Sequence, residues 1–313
     1  MSTQHHYVPQ FYLRQFASPE EQIWVYDKQK DRSFCTSVRN VATERFFYDS
    51  DMLEKTMGDR QALEKLLSRI EGQFGDKIDR LLNRLRSGGY RRLHPETRTV
   101  IATFAAVQLL RTREHRINQK HIVQQMIKFL RKQPKTEKLI AEAEAAMTEE
   151  ALRESQVRML LDLPTIMDFS NILASHIWII GHRHPQQCFY TSDEPVTKYG
   201  NIHHPFRGTD GINSKGVEVH LPLSPDYSLT LYERSHFKWM ESKDGTIQEL
   251  TDPLEMTYSR KWAVMYSSRF VFCQEDDFDL ARDICNREPH WRDPDRPRFT
   301  SNHDDEPLPP GVR

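Results

Sequence analysis

An α+β fold, in which a mainly antiparallel helical bundle packs against a small antiparallel sheet formed by N-terminal and C-terminal segments, is predicted by three observations. From residue 51 to about 163 the apolar positions recur at spacings of three and four with little interruption. On either side of that stretch the period changes to short runs of β-branched and aromatic residues bounded by turn formers. Sixteen Phe, eleven Tyr and five Trp offset a hydrophobic content of only 37%, so the chain can still bury one continuous core. A single α+β domain is therefore expected over residues 1–288. It comprises an N-terminal motif and hairpin (1–50), a helical bundle (51–175) and a sheet region (176–288). The Pro-rich, charged remainder (289–313) reads as a loosely ordered tail.

The elements follow in order. Within "HHYVPQFYLRQF" (5–16), Val8 is held extended by the proline after it, and Pro9 suits a first helical turn. Val8, Phe11, Tyr12 and Phe16 then share one apolar face. "QIWVYDK" alternates as a strand and turns at 28–32 into "SFCTSV". A long helix carries Leu63, Leu66, Leu67, Ile70, Phe74, Ile78, Leu81, Leu82 and Leu85 and stops at Gly88-Gly89. A second starts near Pro95, two more flank Pro134, and another follows Pro164. "HIWIIGHR", "QCFYTSD", "VEVHLPLS" and "YSLTLYER" read as antiparallel strands; a helix at 254–266 and the strand "RFVFCQ" close the body. "RHP" (183–185) and "HHPF" (203–206) lack metal-ligand spacing and read as loops.

Charge is unevenly spread. The net charge is −1, yet residues 77–138 hold sixteen Lys or Arg against four acids, while 139–171 and 275–306 carry net charges of −5 and −6. Such a basic stretch is either an electrostatic footprint for nucleic acid or a face neutralised by the acidic helices. No apolar run reaches membrane-spanning length and the N-terminus does not resemble a signal peptide, so no membrane partner and a cytoplasmic location are expected. Four dispersed cysteines without a CxxC pair suggest neither zinc nor a disulfide framework and read as buried or incidental thiols. The motifs of P-loop hydrolases, dinucleotide enzymes, zincins and α/β-hydrolases are missing.

Chemistry must then come from the polar clusters. In a helix over 9–17, Gln10 and Arg14 share one polar face while His5 and His6 lead in as an extended arm, an arrangement suited to an anion at a helix N-terminus. Gln108 and Arg111 share a helical face, which His115 continues, and Asp193 ends a strand before Pro195. The plain alternatives are that the histidines bond backbone groups and that Asp193 caps a turn.

In order, "HHYVPQFYLRQF", "IWVYDK", "NVATERFFY", the glutamate of "LSRIE", "FAAVQLLRTR", "YTSDEPV" and "LPLSP" resemble domain-of-unknown-function family 4238, over residues 5 to about 275. The resemblance implies a bacterial protein linked to anti-phage defence and supplies no catalytic mechanism. Glu194 departs from the TSDNP reading that the family favours.

Three readings follow. The first is a nuclease or other phosphodiester-cleaving effector. His5, His6, Glu71 and Asp193 are its catalytic candidates, and Gln10, Arg14, Gln108 and Arg111 its phosphate-binding candidates. A divalent metal, if used, would draw on His5, His6, Glu44, Glu71 and Asp193. The second is a non-catalytic binding module for nucleic acid, a nucleotide or a phage component. The third makes the N-terminal cluster a structural buckle between bundle and sheet.

Overall fold

The computed structural model describes residues 4–202 and 210–297. The chain opens with β1 (Gln4–His6), the single-turn helix α1 (Gln10–Leu13) and a 3-10 turn (Arg14–Phe16). Tyr7, Val8, Tyr12, Leu13 and Phe16 are all buried, so this terminal segment is part of the core. The hairpin β2 (Gln22–Asp27) and β3 (Arg32–Ser37) follows, and β4 (Thr43–Arg45) returns antiparallel to β1, with His5 opposite Glu44.

The helical region holds α2 (Asp51–Met57), α3 (Ala62–Arg86), α4 (Pro95–Arg111), α5 (Arg113–Leu130), α6 (Glu137–Ala145), α7 (Glu149–Leu161) and α8 (Leu163–Ser175). Local chemistry sets several ends. The Ser50 and Thr148 hydroxyls accept the Leu53 and Ala151 N–H groups at the starts of α2 and α7, and Gly58 and Gly88 take the positive φ that ends α2 and the turn after α3. Helix α4 is the centre of this region. It packs against α3, α5, α7 and α8, and its buried residues run around the helix instead of along one stripe.

The remaining strands are β5 (Ile177–His182), β6 (Thr191–Ser192), β7 (Thr197–Gly200), β8 (Val217–Pro222), β9 (Tyr227–Tyr232), β10 (Thr246–Glu249) and β11 (Phe270–Cys273), with α9 (Pro253–Tyr266) before β11 and α10 (Asp279–Arg287) after it. The class is α+β with several largely antiparallel sheets. The single small sheet expected from sequence is replaced by three. One combines N- and C-terminal strands in the order β3-β2-β11-β6; a second, β10-β5-β9-β8-β7, is drawn from the C-terminal half; β1-β4 is the third. The pair β10-β5 is parallel, because the chain leaving β9, which is antiparallel to β5, reverses once before reaching the other side of β5. "QCFYTSD" forms a ladder only at Thr191 and Ser192.

One continuous cluster of buried side chains, including Leu63, Ile101, Leu173, Trp178, Leu221 and Phe272, joins helices to sheets. The loose order expected from residue 289 is not found over residues 289–297. Pro289–Arg292 form a 3-10 turn, and the buried Arg296 guanidinium donates to the Met265 and Ser267 carbonyls at 2.7 and 3.0 Å. Helix α10 escapes detection in the sequence because its apolar stripe is only Ala281, Ile284 and Cys285 in an acidic segment. "HHPF" at 203–206 lies outside the described residues.

Candidate functional site

The opening motif is held by a chain of hydrogen bonds. Arg111, 2% exposed, donates from Nη1 to Glu71 Oε1 at 2.9 Å and from Nη2 to the His6 carbonyl at 2.6 Å. Its Nε faces the Tyr48 hydroxyl at 3.4 Å, and that hydroxyl donates back to the Arg111 carbonyl at 2.8 Å. The His6 ring donates from Nε2 to the Arg39 carbonyl at 3.2 Å, so its Nδ1 accepts the Gln10 amide at 3.4 Å. Gln10 Oε1 in turn accepts Arg14 Nη2 at 3.3 Å, and Arg14 Nε donates to Glu21 at 2.9 Å. His6, Gln10, Arg14, Glu71 and Arg111 therefore lie together, with their polar groups bonded chiefly to one another and to backbone.

His5 faces elsewhere. Fully buried, it stacks on Tyr48 at 6.0 Å, accepts the Tyr48 N–H at Nδ1 (3.1 Å) and presents Nε2 to Asp49 at 3.5 Å. Burial lowers the pKa of both histidines, so each is a neutral imidazole near pH 7. Gln108 donates to the Tyr7 carbonyl at 2.8 Å, and Glu44 pairs with Arg113, whose guanidinium lies 5.6 Å from the Tyr7 ring centre. Asp193 caps a turn: its carboxylate accepts the N–H groups of Ser268, Arg269 and Phe270 at 2.9, 2.8 and 2.9 Å. The turn it caps is not one of its own segment, as an Asx-type turn would be, but one 75–77 residues further along the chain. The five metal candidates do not converge as a ligand set. Among the described residues, no three His, Cys, Asp or Glu side chains are grouped so that they could hold a metal ion.

The basic stretch divides in two. Toward its C-terminal end the acidic helices answer it: Arg131 pairs with Glu144 and Lys138 with Glu142. Toward its N-terminal end a cleft of about 230 Å³ opens between the last turns of α3, the 87–94 connection and the start of α4. Lys77, Arg80, Leu81 and Arg84 reach it from α3 at spacings of three and four, joined by Tyr90, Arg92 and His94. The connection is fixed because the Tyr90 hydroxyl donates to the Gly245 carbonyl at 2.8 Å. His94 caps α4, its Nδ1 accepting the Glu96 N–H at 3.3 Å. Four cations thus face one carboxylate, Glu96, which Lys77 already holds. No hydrogen bond or salt bridge within 4 Å ties the Arg80, Arg84 or Arg92 guanidinium to a described residue.

A family model described as "Protein of unknown function (DUF4238)" matches residues 4–290. The chain belongs to that family. No curated protein and no solved structure matches it. The stretches that carry the family resemblance meet in space. "HHYVP" contributes the His6 and Tyr7 carbonyls, "ATERFFY" Glu44 and Tyr48, "LSRIE" Glu71, and "VQLLRTR" Gln108, Arg111 and Arg113. Sequence reasoning missed Tyr48 and Glu64. Burial raises the Glu64 carboxyl to about 7, with Arg111 opposing and Glu71 reinforcing the shift. The seven-residue spacing of Glu64 and Glu71 was the available signal, since it places both on one helical face.

Proposed function

We propose that this family member is a binding module for a phosphate-bearing polyanion, nucleic acid or nucleotide, and that it serves the anti-phage role the family resemblance implies through that recognition. The observation that supports this reading is the basic cleft. Three guanidiniums with no hydrogen bond or salt bridge among the described residues stand beside Lys77 and the start of α4, where backbone dipoles add positive potential. Guanidinium groups match phosphate oxygens in charge and geometry, and contacts of this kind release counterions. The experiment is fluorescence anisotropy with single-stranded DNA, duplex DNA, RNA and nucleoside triphosphates across a salt series. It is repeated with Arg80, Arg84 and Arg92 jointly replaced by Ala. Binding that weakens steeply with salt and falls at least tenfold in the triple variant is expected; salt-independent binding, or a triple variant that binds like the parent, overturns the reading.

A catalytic reading has one specific observation behind it. Glu194 is buried, its Oε2 makes no hydrogen bond among the described residues, and burial, then Glu114, raises its carboxyl well above the usual range. A carboxyl whose burial favours the protonated form is suited to general-acid work on a phosphodiester. Loss of cleavage in Glu194→Gln, with binding retained, would select this reading.

A further inference from the structure

Cys188 and Cys273 lie 85 residues apart in sequence, yet their Sγ atoms are 2.8 Å apart. Cys273 is the last residue of β11 and is fully buried; Cys188, two residues before Tyr190, is 7% exposed. The wall around them is apolar, with Tyr190, Ala263, Val264 and Phe278 in the same cluster. We propose that Cys188 and Cys273 are a redox-responsive pair that closes to an intramolecular disulfide when the protein meets a small-molecule disulfide of the glutathione class. A disulfide needs the sulfurs at about 2.05 Å, so closure asks for a shift of less than an ångström, within the reach of side-chain torsions.

The steps balance. Cys188, the more accessible of the two, loses its proton and attacks one sulfur of the small disulfide; one small thiolate leaves and a mixed disulfide forms. Cys273 loses its proton and attacks the Cys188 sulfur, forming the protein disulfide and releasing the second small thiolate. Two protein thiols give up two electrons and two protons, and the small disulfide is reduced to two thiols. The surroundings assign the roles in that order. The Cys273 contact and the nearby Arg260 guanidinium favour the Cys188 thiolate, whereas contact with Cys188 and burial disfavour the Cys273 thiolate.

The consequence falls on the β6–β11 ladder, which pairs only Thr191 with Phe272 and Ser192 with Val271. Asp193 secures one end of it by gripping the turn at 268–270. The disulfide would secure the other, so that the segment carrying Asp193 and Glu194 is fixed at both ends in the oxidised state and at one in the reduced state.

The test uses the whole purified chain. It is equilibrated with oxidised glutathione, quenched with an alkylating reagent in denaturant, digested without reductant and read by mass spectrometry. A Cys188–Cys273 linked peptide pair is expected, with the exposed Cys35 appearing as a glutathione adduct. The oxidised protein should also melt several degrees above the reduced one, a difference that Cys273→Ser removes. If Cys188 and Cys273 are both recovered alkylated under conditions that convert Cys35, or if Cys188 is found linked to another cysteine, the proposal is overturned. The trapping measurement stands on the unmutated chain, so a poorly folding Cys273→Ser variant does not affect it.

Discussion

The N-terminal buckle and the basic cleft contain the same kinds of side chain in opposite states of commitment. In the buckle, Arg111 is enclosed and its guanidinium meets Glu71, the His6 carbonyl and Tyr48. In the cleft, Arg80, Arg84 and Arg92 face solvent beside one another. Residue type does not distinguish them; the number of internal partners does. A buried cation with partners is difficult to remove and has little capacity left for a ligand, whereas a partly solvated cation costs the fold little and keeps its donors available. The difference teaches that the paired histidines of the opening motif and Arg111 are bonded chiefly within the fold, while "KIDRLLNRLRSGGYRRLH" carries several arginines with no ion pair among the described residues.

The largest expected effect tests the buckle. Arg111→Ala leaves Glu71, the His6 carbonyl and Tyr48 without their shared partner and should lower the free energy of unfolding by about 3–5 kcal/mol, as when one member of a buried pair is removed. Urea unfolding followed by circular dichroism measures it. A loss below about 1 kcal/mol would place Arg111 outside the supporting network and reopen it as a ligand-binding group.

How far the sequence could show this is clear from single residues. The packing of the opening segment was legible because Val8, Tyr12 and Phe16 fall on one face around a proline, and all three are fully buried. The helical character of residues 51–175 was legible from spacing and glycine stops, whereas α10 was not. Strand β10 was not, since Thr246–Glu249 has only Ile247 as a large apolar residue and its pairing depends on how the chain returns past β9. Within the candidate site, the pairing of Gln10 with Arg14 follows from local helix geometry, and His6 joins them from the end of β1. Arg111 and Asp193 were recognisable as special, but their partners were not, because those include backbone groups 75–105 residues away. Backbone carbonyls and N–H groups leave no mark in composition. The cleft was hidden for a related reason: its charge was visible, but which cations would find internal carboxylates was decided by α6 and by the Tyr90 anchor.

A middle-sized effect sharpens the comparison through pH. Glu64 shares the Arg111 neighbourhood, and its carboxyl is raised from 4.5 to about 7 by burial. A folded-state value above the unfolded one means that the folded chain binds more protons between those values. The stabilising contribution is therefore complete below pH 4.5 and is lost as pH rises through 7, by at most about 3 kcal/mol. Glu64→Gln should remove this part of the pH dependence and make the protein more stable than the parent at pH 8, with little difference at pH 4.5. Denaturant titrations at the two pH values read it directly; parallel stability profiles for parent and variant would show that Glu64 is solvated in both states.

The smallest expected effect on stability should accompany a clear effect on binding. Arg84 lies on the exposed face of α3 with no ion pair among the described residues to lose, so Arg84→Ala should change unfolding free energy by no more than about 0.5 kcal/mol. Alanine is also the better helix former by a slight margin, which offsets part of any lost packing by the arginine stem. If the guanidinium contacts a phosphate, the variant should bind every nucleic-acid sequence more weakly by a similar factor, and the slope of log K against log salt should become shallower by about 0.7–0.9, the share of one contact. The same substitution would then be nearly silent in unfolding and plain in binding, the reverse of Arg111→Ala. An unchanged slope together with unchanged affinity would mean that Arg84 does not touch the polyanion, and the binding surface would have to be sought elsewhere along the basic helices.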